Sequence, residues 1–453
     1  MSEIVDSSLD YSVYNYNHST LHYRNVAPQN SSSITLGTGS STTGPLSFVI
    51  SSSVFNPAKS RLTFNLNVAA GTNTEYNFIR ANLLSILSRI TIYDQNTSAI
   101  LADINNVGNT YAMLSPIATK FDEFIHKSQP TTPGTTAAGA GPIPYEDIGK
   151  INVATGNLLT STTDTAAAAG AGAYFQLRNV IIGAVGAATN LQVSIPLNAL
   201  KHSFFDLDKM IYSPSNLQVD CYFSGVDGFA WKGTSTANLS TSADVANAIT
   251  LSSANLQLAT EGNVNVASQI IQKTMSSGLS LPIGYISSAK FTTPTGTSQS
   301  FSIPITAAYG KKVLYIAASA FDYDEIRNTS KVHIRPTGLS QYNTFINSVP
   351  ILAPGGFIVD TRGEDYIIAN KQYLEGSVIQ NVFDYQYNWV HVDNFAKCRI
   401  CDLDPSNVDG LDVMSQQANY SLQATVSSAQ YNWYLAIVGQ KTMSISSQGV
   451  MVN

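Results

Sequence analysis

Residues 194–223 read SIPLNALKHSFFDLDKMIYSPSNLQVDCYF and place a short aromatic and acidic segment between two alternating stretches. Apolar residues occupy every second position on both sides of that segment: Leu191, Val193 and Ile195 before it, then Leu217, Val219, Cys221 and Phe223 after it. A period of two predicts β-strands with one buried face and one wetter face. The segment between them predicts a short helical connection carrying two Phe and two Asp.

The composition favours extended structure. Charged residues are 12% of the 453 residues, against about 25% in ordinary soluble domains. A helical bundle would need more Glu, Lys, Arg and Leu. The length predicts about two to three domains whose cores need no disulfide or metal.

The charge and the ends of the chain narrow the function classes. A net charge of −6 and a pI near 5.5 argue against a surface that binds nucleic acid by neutralising phosphates. The N-terminus MSEIVDSSLDYSVYNYN predicts no secretory signal, and no stretch of about 20 predominantly apolar residues predicts a membrane span. We therefore expect a soluble protein made in the cytosol.

The cysteines are expected to be structural thiols. Cys398 and Cys401 have the C-x-x-C spacing of zinc knuckles, but the surrounding AKCRICDL is strand-like, and residues three apart in a strand point to opposite faces. No second such pair completes a set of four ligands. Cys221 lies in an alternating stretch and is expected to be buried.

The chain divides by composition into an arm and two halves. Residues 1–44 join a tyrosine-rich stretch to a Ser/Thr/Gly tract and predict a terminal arm that orders against a partner. Residues 45–230 and 231–453 follow one plan, in which a strand, an Asp-bearing connection and an alternating strand recur near the end of each. Low-complexity stretches at 128–147 and 155–173 predict surface loops or subunit contacts.

The connection in residues 194–223 carries a family resemblance. A strand ending in I-P-L, a link with F-F-D, a lysine and I-Y, then an alternating strand, resembles the late strands of double jelly-roll major capsid proteins. These proteins build icosahedral double-stranded DNA viruses of the adenovirus, polinton and virophage-like lineage. The segments GLSQYNTFINSVPIL and CRICDLDPSNVDGLDV resemble the second jelly roll, and the pattern extends over most of residues 45–450.

The resemblance implies an all-β fold of two consecutive eight-stranded jelly-roll sandwiches with short helices in the connections and an N-terminal arm. In that fold Phe204 and Phe205 are expected to plug the end of a sandwich or to meet a neighbouring jelly roll. Asp206 and Asp208 are expected to cap or turn the connection.

Enzymatic motifs are absent from the sequence. It contains no G-x-S-x-G, no H-E-x-x-H and no G-x-x-x-x-G-K-[ST], so we expect no catalytic residue, no cofactor and no metal site. His18 and His22 are spaced i, i+4, but in a segment with little helical character. The remaining candidates are interpreted as structural histidines: His202, His333 and His391.

Acidic clusters and glycosylation triplets have plain interpretations. The DLDPSNVDG segment holds Asp402, Asp404 and Asp409, but it lacks the central glycine and terminal Glu of a calcium loop, so a turn is favoured over calcium. The FDYDEIRN segment, with Asp322, Asp324, Glu325 and Arg327, is interpreted as a solvated loop.

N-x-[ST] triplets do not discriminate between functions in a chain rich in Ser and Thr: Asn96, Asn238, Asn328 and Asn419.

Two function classes follow. The first is a major capsid protein of the virion shell that forms pseudo-hexagonal homotrimers. Its expected partners are itself, neighbouring capsomers and minor capsid or penton proteins, with the arm meeting an internal membrane and no sequence-specific nucleic acid. The alternative is a viral spike or carbohydrate-binding β-sandwich adhesin, with a β-sandwich glycanase as a weaker third option. The absence of a periodic repeat disfavours a spike shaft, and two similar halves with an arm favour the shell.

Overall fold

The computed structural model describes the chain in segments. These are residues 19–38, 42–70, 76–79, 83–120, 128–129, 143–144, 149–152, 157–158, 173–177, 181–183, 188–233, 244–245, 248–306, 310, 312–322, 338–351, 357–358, 373–377, 390–405, 409–413 and 418–453.

The strands up to residue 261 are β1 (Leu21–Val26), β2 (Ile34–Thr35), β3 (Thr43–Ile50), β4 (Ser53–Val68), β5 (Tyr76–Ile79), β6 (Leu87–Asp94), β7 (Ile100–Asn105), β8 (Ser128–Gln129), β9 (Ile143–Pro144), β10 (Gly149–Asn152), β11 (Asn157–Leu158), β12 (Ala173–Leu177), β13 (Ile181–Gly183), β14 (Thr189–Pro196), β15 (Ile211–Ser213), β16 (Leu217–Phe223), β17 (Ala230–Gly233), β18 (Asp244–Val245) and β19 (Ile249–Glu261).

The strands after it are β20 (Leu279–Thr292), β21 (Gly296–Ile305), β22 (Lys312–Asp322), β23 (Gln341–Ile346), β24 (Val349–Pro350), β25 (Phe357–Ile358), β26 (Val390–Asn394), β27 (Leu411–Asp412), β28 (Ala418–Ala429), β29 (Tyr431–Ser446) and β30 (Gly449–Val452). The α-helices are α1 (Val107–Ala118), α2 (Val226–Phe229) and α3 (Val264–Ser277), and short 3-10 helices span Leu83–Ile86, Leu197–Ala199, Phe204–Asp206 and Ile400–Asp402.

Two of the sheets formed by the strands up to β19 build a first roll, and β11-β10-β12, β13-β5-β17-β18 and β8-β9 form three further sheets. Sheet 1 has the order β1-β19-β4-β14, with β2 beside β19 and β15 beside β4, and sheet 2 has the order β3-β16-β6-β7. The predicted strands on either side of the aromatic connection are confirmed as β14 and β16, and they belong to different sheets. The connection therefore crosses from one layer of the sandwich to the other.

The strands from β20 onward build a second roll in the same order. Sheet 3 has the order β20-β29-β22-β26, with β30 beside β29 and β27 beside β22, and sheet 4 has the order β21-β28-β23-β24, with β25 beside β23. Position by position, β20 corresponds to β1, β29 to β19, β22 to β4 and β26 to β14. Sheets 2 and 4 correspond in the same way. Each roll is thus a complete eight-stranded jelly roll, which confirms the predicted all-β fold.

Two strands pair across the boundaries that we expect at residues 44 and 230. β1 lies in the predicted arm and pairs along β19, with Leu21 opposite Glu261 and Val26 opposite Leu256. β19 lies in the predicted second half and pairs along β4 of sheet 1. The boundaries themselves stay a prediction, because a single apolar core joins residues of both rolls.

Two apolar cores hold the molecule together. The larger fills the first roll and continues onto one face of sheet 3, where Tyr315, Ala436 and Val438 belong to it. The smaller lies between sheets 3 and 4 around Trp433 and Leu435. Because neighbouring residues of β29 alternate between the two cores, sheet 3 is buried on both faces.

Helix α1 fills the space between the first roll and sheet 3. The helix is buried: its side chains at Tyr111, Met113, Leu114 and Ile117 are fully buried. Helix α3 connects the rolls, beginning at the Asn263 cap and ending at Gly278, whose φ is 71°.

Candidate functional site at the junction of the two rolls

The aromatic connection of the first roll forms the centre of the junction. Ser203 caps the 3-10 helix Phe204–Asp206: its hydroxyl accepts from the Phe205 amide at 3.2 Å and donates to the Leu200 carbonyl at 2.6 Å. Phe204 and Phe205 are fully buried and pack edge to face at 5.9 Å between ring centroids. The rings were predicted to plug the end of a sandwich or to meet a neighbouring jelly roll, and they lie in the core that the two rolls share.

The two aspartates of the connection bind different parts of the first roll. The Asp206 carboxylate accepts from the His202 amide at 3.1 Å and lies 3.6 Å from Lys201 Nζ, so it turns the connection as predicted. Asp208 instead accepts from the Asn56 side chain at 2.7 Å and pairs with Lys59 at 3.3 Å. It therefore ties the connection to β4.

A buried hydrogen bond crosses from this connection to sheet 3. His202 Nδ1 and the Tyr315 hydroxyl lie 2.7 Å apart, with the rings edge to face at 5.6 Å. Burial, helped by the charge of Lys201, lowers the pKa of His202 to about 3, so the imidazole is neutral at physiological pH. The predicted structural histidine is thus a contact between the rolls.

Gly284 of β20 lies at a close backbone approach between the rolls. A Cβ at this position would lie 2.3 Å from the His202 carbonyl oxygen. Around it is a pocket of about 230 Å³ lined by both Asp-Leu-Asp turns, from residues His202, Ser203, Asp206, Leu207, Asp208, Lys209, Pro282, Gly284, Leu403, Asp404 and Pro405. Only glycine allows this contact.

The corresponding turn of the second roll contains the C-x-x-C pair. The expectation that these cysteines lie on a strand is wrong: Cys401 belongs to the 3-10 helix Ile400–Asp402 and Cys398 precedes it, because the segment crosses between sheets as its counterpart does. Both are half-buried free thiols, and burial together with the Asp402 charge raises their pKa. Raised thiol pKa values disfavour metal binding and nucleophilic chemistry.

Asp402 holds this turn against helix α1. Its oxygens lie 2.7 Å from Lys120 Nζ and 2.8 Å from Arg399 Nε, and the hydrogen bond from Lys120 keeps the pKa of Asp402 below its ordinary value. Asp409 pairs with Lys312. The acidic segment is therefore engaged in ion pairs, in keeping with the interpretation as a turn.

A second connection between the rolls is made by Asp94, at the end of β6. This fully buried carboxylate accepts from the Val450 amide of β30 at 2.8 Å, from Ser215, and from the Asn96 and Thr97 amides at 2.7 and 3.0 Å. Burial alone would raise the pKa of Asp94, but these hydrogen bonds outweigh it and the pKa is lowered. Sequence reasoning missed this residue, because an Asp followed by Gln-Asn-Thr looks like any turn.

A buried polar cluster lies inside the second roll. The Asp393 carboxylate accepts from Tyr420 at 2.8 Å and from Thr344 at 3.1 Å, and His391 Nε2 lies 3.1 Å from it. The hydrogen bonds from Tyr420 and Thr344 link sheet 4 to Asp393 of sheet 3 through buried polar groups. His391 is thus a structural residue of this core.

The other predicted positions are scattered. Cys221 is buried in β16, where burial raises its pKa, His22 lies on β1, Asn96 in the turn after β6 and Asn419 on β28. The backbone of Asp322 ends β22. Further positions lie outside the described residues: His18, His333, Asn238, Asp324, Glu325, Asn328, Arg327 and most of 128–147 and 155–173.

The described segments contain neither a clustered metal site nor a membrane span. No group of three or more His, Cys, Asp or Glu side chains within them could hold a metal ion. No helix within those segments is both long and apolar enough to cross a bilayer. The junction is built from packing, buried hydrogen bonds and the Lys120–Asp402 ion pair.

Comparison with solved structures identifies the architecture. The chain superposes on a capsid protein of the PBCV-1 virus with a TM-score of 0.52 and 10% identity, covering 96% of this chain and 97% of that one. The PBCV-1 protein fitted into a cryo-EM reconstruction of the virophage Sputnik gives a TM-score of 0.51 and 11% identity, again covering 96% and 97%. No protein-family profile and no curated protein sequence matches the chain. The shared feature is the double jelly-roll fold over nearly the whole chain.

Proposed function

We propose that this chain, which has the double jelly-roll fold of viral capsid proteins, is a major capsid protein whose homotrimers form pseudo-hexagonal capsomers of an icosahedral virion shell. The observation that carries the proposal is the repetition of one strand order in two rolls joined by a continuous core. Three such chains around a threefold axis present six similar sandwiches, an outline that tiles a surface.

The chemistry of the junction supports a structural role. Its buried polar groups are a neutral imidazole, a tyrosine hydroxyl and a carboxylate engaged by neutral donors, which are arrangements that fix geometry. We infer that the protein is not an enzyme and needs no cofactor. Its proposed partners are copies of itself, neighbouring capsomers and minor capsid or penton proteins, and residues 1–44 are proposed as an arm that meets any internal membrane.

Sedimentation equilibrium of the purified protein tests the proposal. We expect a mass near three times 48.5 kDa that persists on dilution, because interfaces of this obligate class bury more than about 2,000 Å². Negative-stain images at high protein concentration should show hexagonal plates or shells. A stable monomer that neither trimerises nor assembles would contradict the proposal and favour the carbohydrate-binding adhesin.

A further inference from the structure

A polar pocket lies between the two rolls at the beginning of helix α1. It has a volume of about 260 Å³. The first roll lines it with the turns before β6 and before α1 and with the segment after β16, and the second roll lines it with Lys290 of β20 and Tyr434 of β29. None of the described residues around it is an Asp or a Glu, and Lys290 is the one charged residue among them. The described lining therefore favours a negatively charged occupant.

Helix α1 begins in this pocket without a side-chain cap. Its N-cap residue, Asn106, has a φ of 49°, and its side chain makes no capping hydrogen bond. The first amides of an α-helix have no acceptor within the helix and carry the positive end of its dipole. Gly108 of this first turn lines the pocket and packs so closely on Ser85 that a Cβ would lie 2.8 Å from Ser85 Cα. A helix start of this kind favours an anion beside it.

The hydroxyl of Ser88 is a second, independent indication of a ligand. Ser88 is the second residue of β6 and lines the pocket. Its Oγ exposes less than 1 Å² to solvent and has no hydrogen-bond partner among the described residues. A buried hydroxyl without a partner is costly, and rotation about χ1 can direct it toward a group in the pocket. A ligand that accepts a hydrogen bond would remove that cost.

Lys290 brings a positive charge from the second roll to the same pocket. It pairs in register with Tyr434, and its Nζ lies 5.6 Å from the centre of the Tyr434 ring. That ring packs against Ala112, which lies four residues after Gly108 and therefore on the same side of helix α1. The aromatic ring thus holds the ammonium group near the beginning of the helix, where the two positive ends attract the same anion.

We propose that this pocket binds a tetrahedral oxoanion, a phosphate or sulfate group, through the start of helix α1, the Ser88 hydroxyl and the Lys290 ammonium group. These donors come from three elements, and a tetrahedral anion has oxygens in enough directions to meet all three, whereas a carboxylate has only two oxygens in one plane. Because the donors belong to both rolls, the bound anion stabilises the junction between them. The site goes beyond the proposed capsid function and does not depend on it.

Titration of the purified full chain with inorganic phosphate, at an ionic strength held constant with chloride, tests the proposal. We expect a saturable rise in the thermal midpoint, because a ligand that binds only the folded chain stabilises it, and calorimetric titration gives the Kd. Ser88→Ala should keep the midpoint of the anion-free protein, since Oγ loses no partner, yet bind phosphate roughly tenfold more weakly. Lys290→Gln should weaken binding by at least as much.

Lys273→Gln is the matched control, because it removes the same charge from an exposed position of helix α3 and should bind phosphate as wild type does. Glucose 6-phosphate, with glucose as its neutral control, separates the two sources of the anion. Equal affinity for phosphate and the sugar phosphate supports a free oxoanion, and tighter binding of the sugar phosphate supports a sugar-borne one.

Three results would overturn the inference. The first is a wild type that does not bind phosphate. The second is an affinity that is unchanged in Ser88→Ala or in Lys290→Gln, and equal affinity in all variants would indicate an adventitious ion only. The third is a preference for acetate over phosphate, which would assign a carboxylate to the pocket. Each of them leaves the capsid function standing, because the mass of the trimer is measured separately.

Discussion

Asp94 is a buried carboxylate whose hydrogen bonds all come from neutral donors on both rolls. An ionised acceptor makes stronger hydrogen bonds to amides than a neutral one does, and this preference lowers the pKa of Asp94 in the folded protein. The contribution to stability is present above the ordinary Asp pKa of about 3.9 and is lost as the pH falls through the folded value. The contact between β30 and the first roll is therefore acid-sensitive.

Asp94→Asn tests this linkage. The amide would turn a donor toward the Val450 or Ser215 donors, so at about pH 7 we expect the free energy of unfolding to fall by about 1–3 kcal/mol. Urea unfolding from about pH 6 to pH 3 should show the gap to wild type narrowing as Asp94 becomes protonated. The other carboxylates titrate equally in both proteins. A difference in the free energy of unfolding that stays constant with pH would therefore show that Asp94 is not responsible for the acid sensitivity.

Gly284→Ala tests the close approach between the rolls. The new Cβ would meet the His202 carbonyl at 2.3 Å, and backbone on both sides cannot yield without moving the rolls apart. We expect a loss of about 1–3 kcal/mol, as in other overpacked sites, measured by thermal unfolding. Gly296→Ala is the matched control, since a Cβ there meets nothing within 4 Å. Equal midpoints for the two variants would contradict the proposed close contact.

The sequence predicts the role of a residue well when that role depends on residues nearby in the chain. Two adjacent Phe beside Asp in a polar chain indicate a buried plug, and the structure confirms it. Asp94 and Gly284 escape prediction because their partners, Val450 and His202, are distant in sequence. The prediction that the C-x-x-C pair lies on a strand was wrong for a related reason. Apolar alternation over a few residues does not distinguish a strand from a turn that buries one side.

Among the elements, the C-terminal strand β30 has the clearest energetic role. Its Val450 is 1% exposed and packs in the larger core, whereas the adjacent Met451 is 49% exposed. The strand also bonds to Thr97 and Asp94 of the first roll. A strand at the end of the second roll thus holds the two rolls together.

Val450→Ala and Met451→Ala compare the loss of a buried side chain with the loss of an exposed one on the same strand. We expect the first to lower the free energy of unfolding by about 2 kcal/mol, because it removes buried methyl groups. The second should change it by less than about 0.5 kcal/mol. Guanidinium unfolding of both variants measures the difference, and an equal effect would mean that β30 is not anchored by its buried face.

The sequence predicts where the strands lie but not which sheet each strand joins. The alternation in β4, β14, β16 and β28 is plain in the sequence. β1 is different, because both of its faces are largely exposed and its residues show no alternation. Its place in sheet 1 follows from pairing with β19, a partner more than two hundred residues away, which no local pattern reports.

At the scale of the whole molecule, the main property is that the two rolls repeat one strand order. The sequence indicates two similar halves, although identity between them is not visible, because a jelly roll requires only alternation and turns at suitable spacings. The junction could not be read from the sequence. It depends on burying both faces of sheet 3, and β22 and β29 read as continuous apolar runs for that reason.

Burial of sheet 3 on both faces predicts that the two rolls unfold together. Separating them would expose the apolar surface of Tyr315, Ala317 and Val438 to water and break the His202–Tyr315 hydrogen bond. An intermediate with one folded roll would therefore be costly. We expect differential scanning calorimetry to show a single transition with equal calorimetric and van't Hoff enthalpies per folded unit. Two resolved transitions would show that each roll is stable alone and that the shared core contributes little to the stability of either roll.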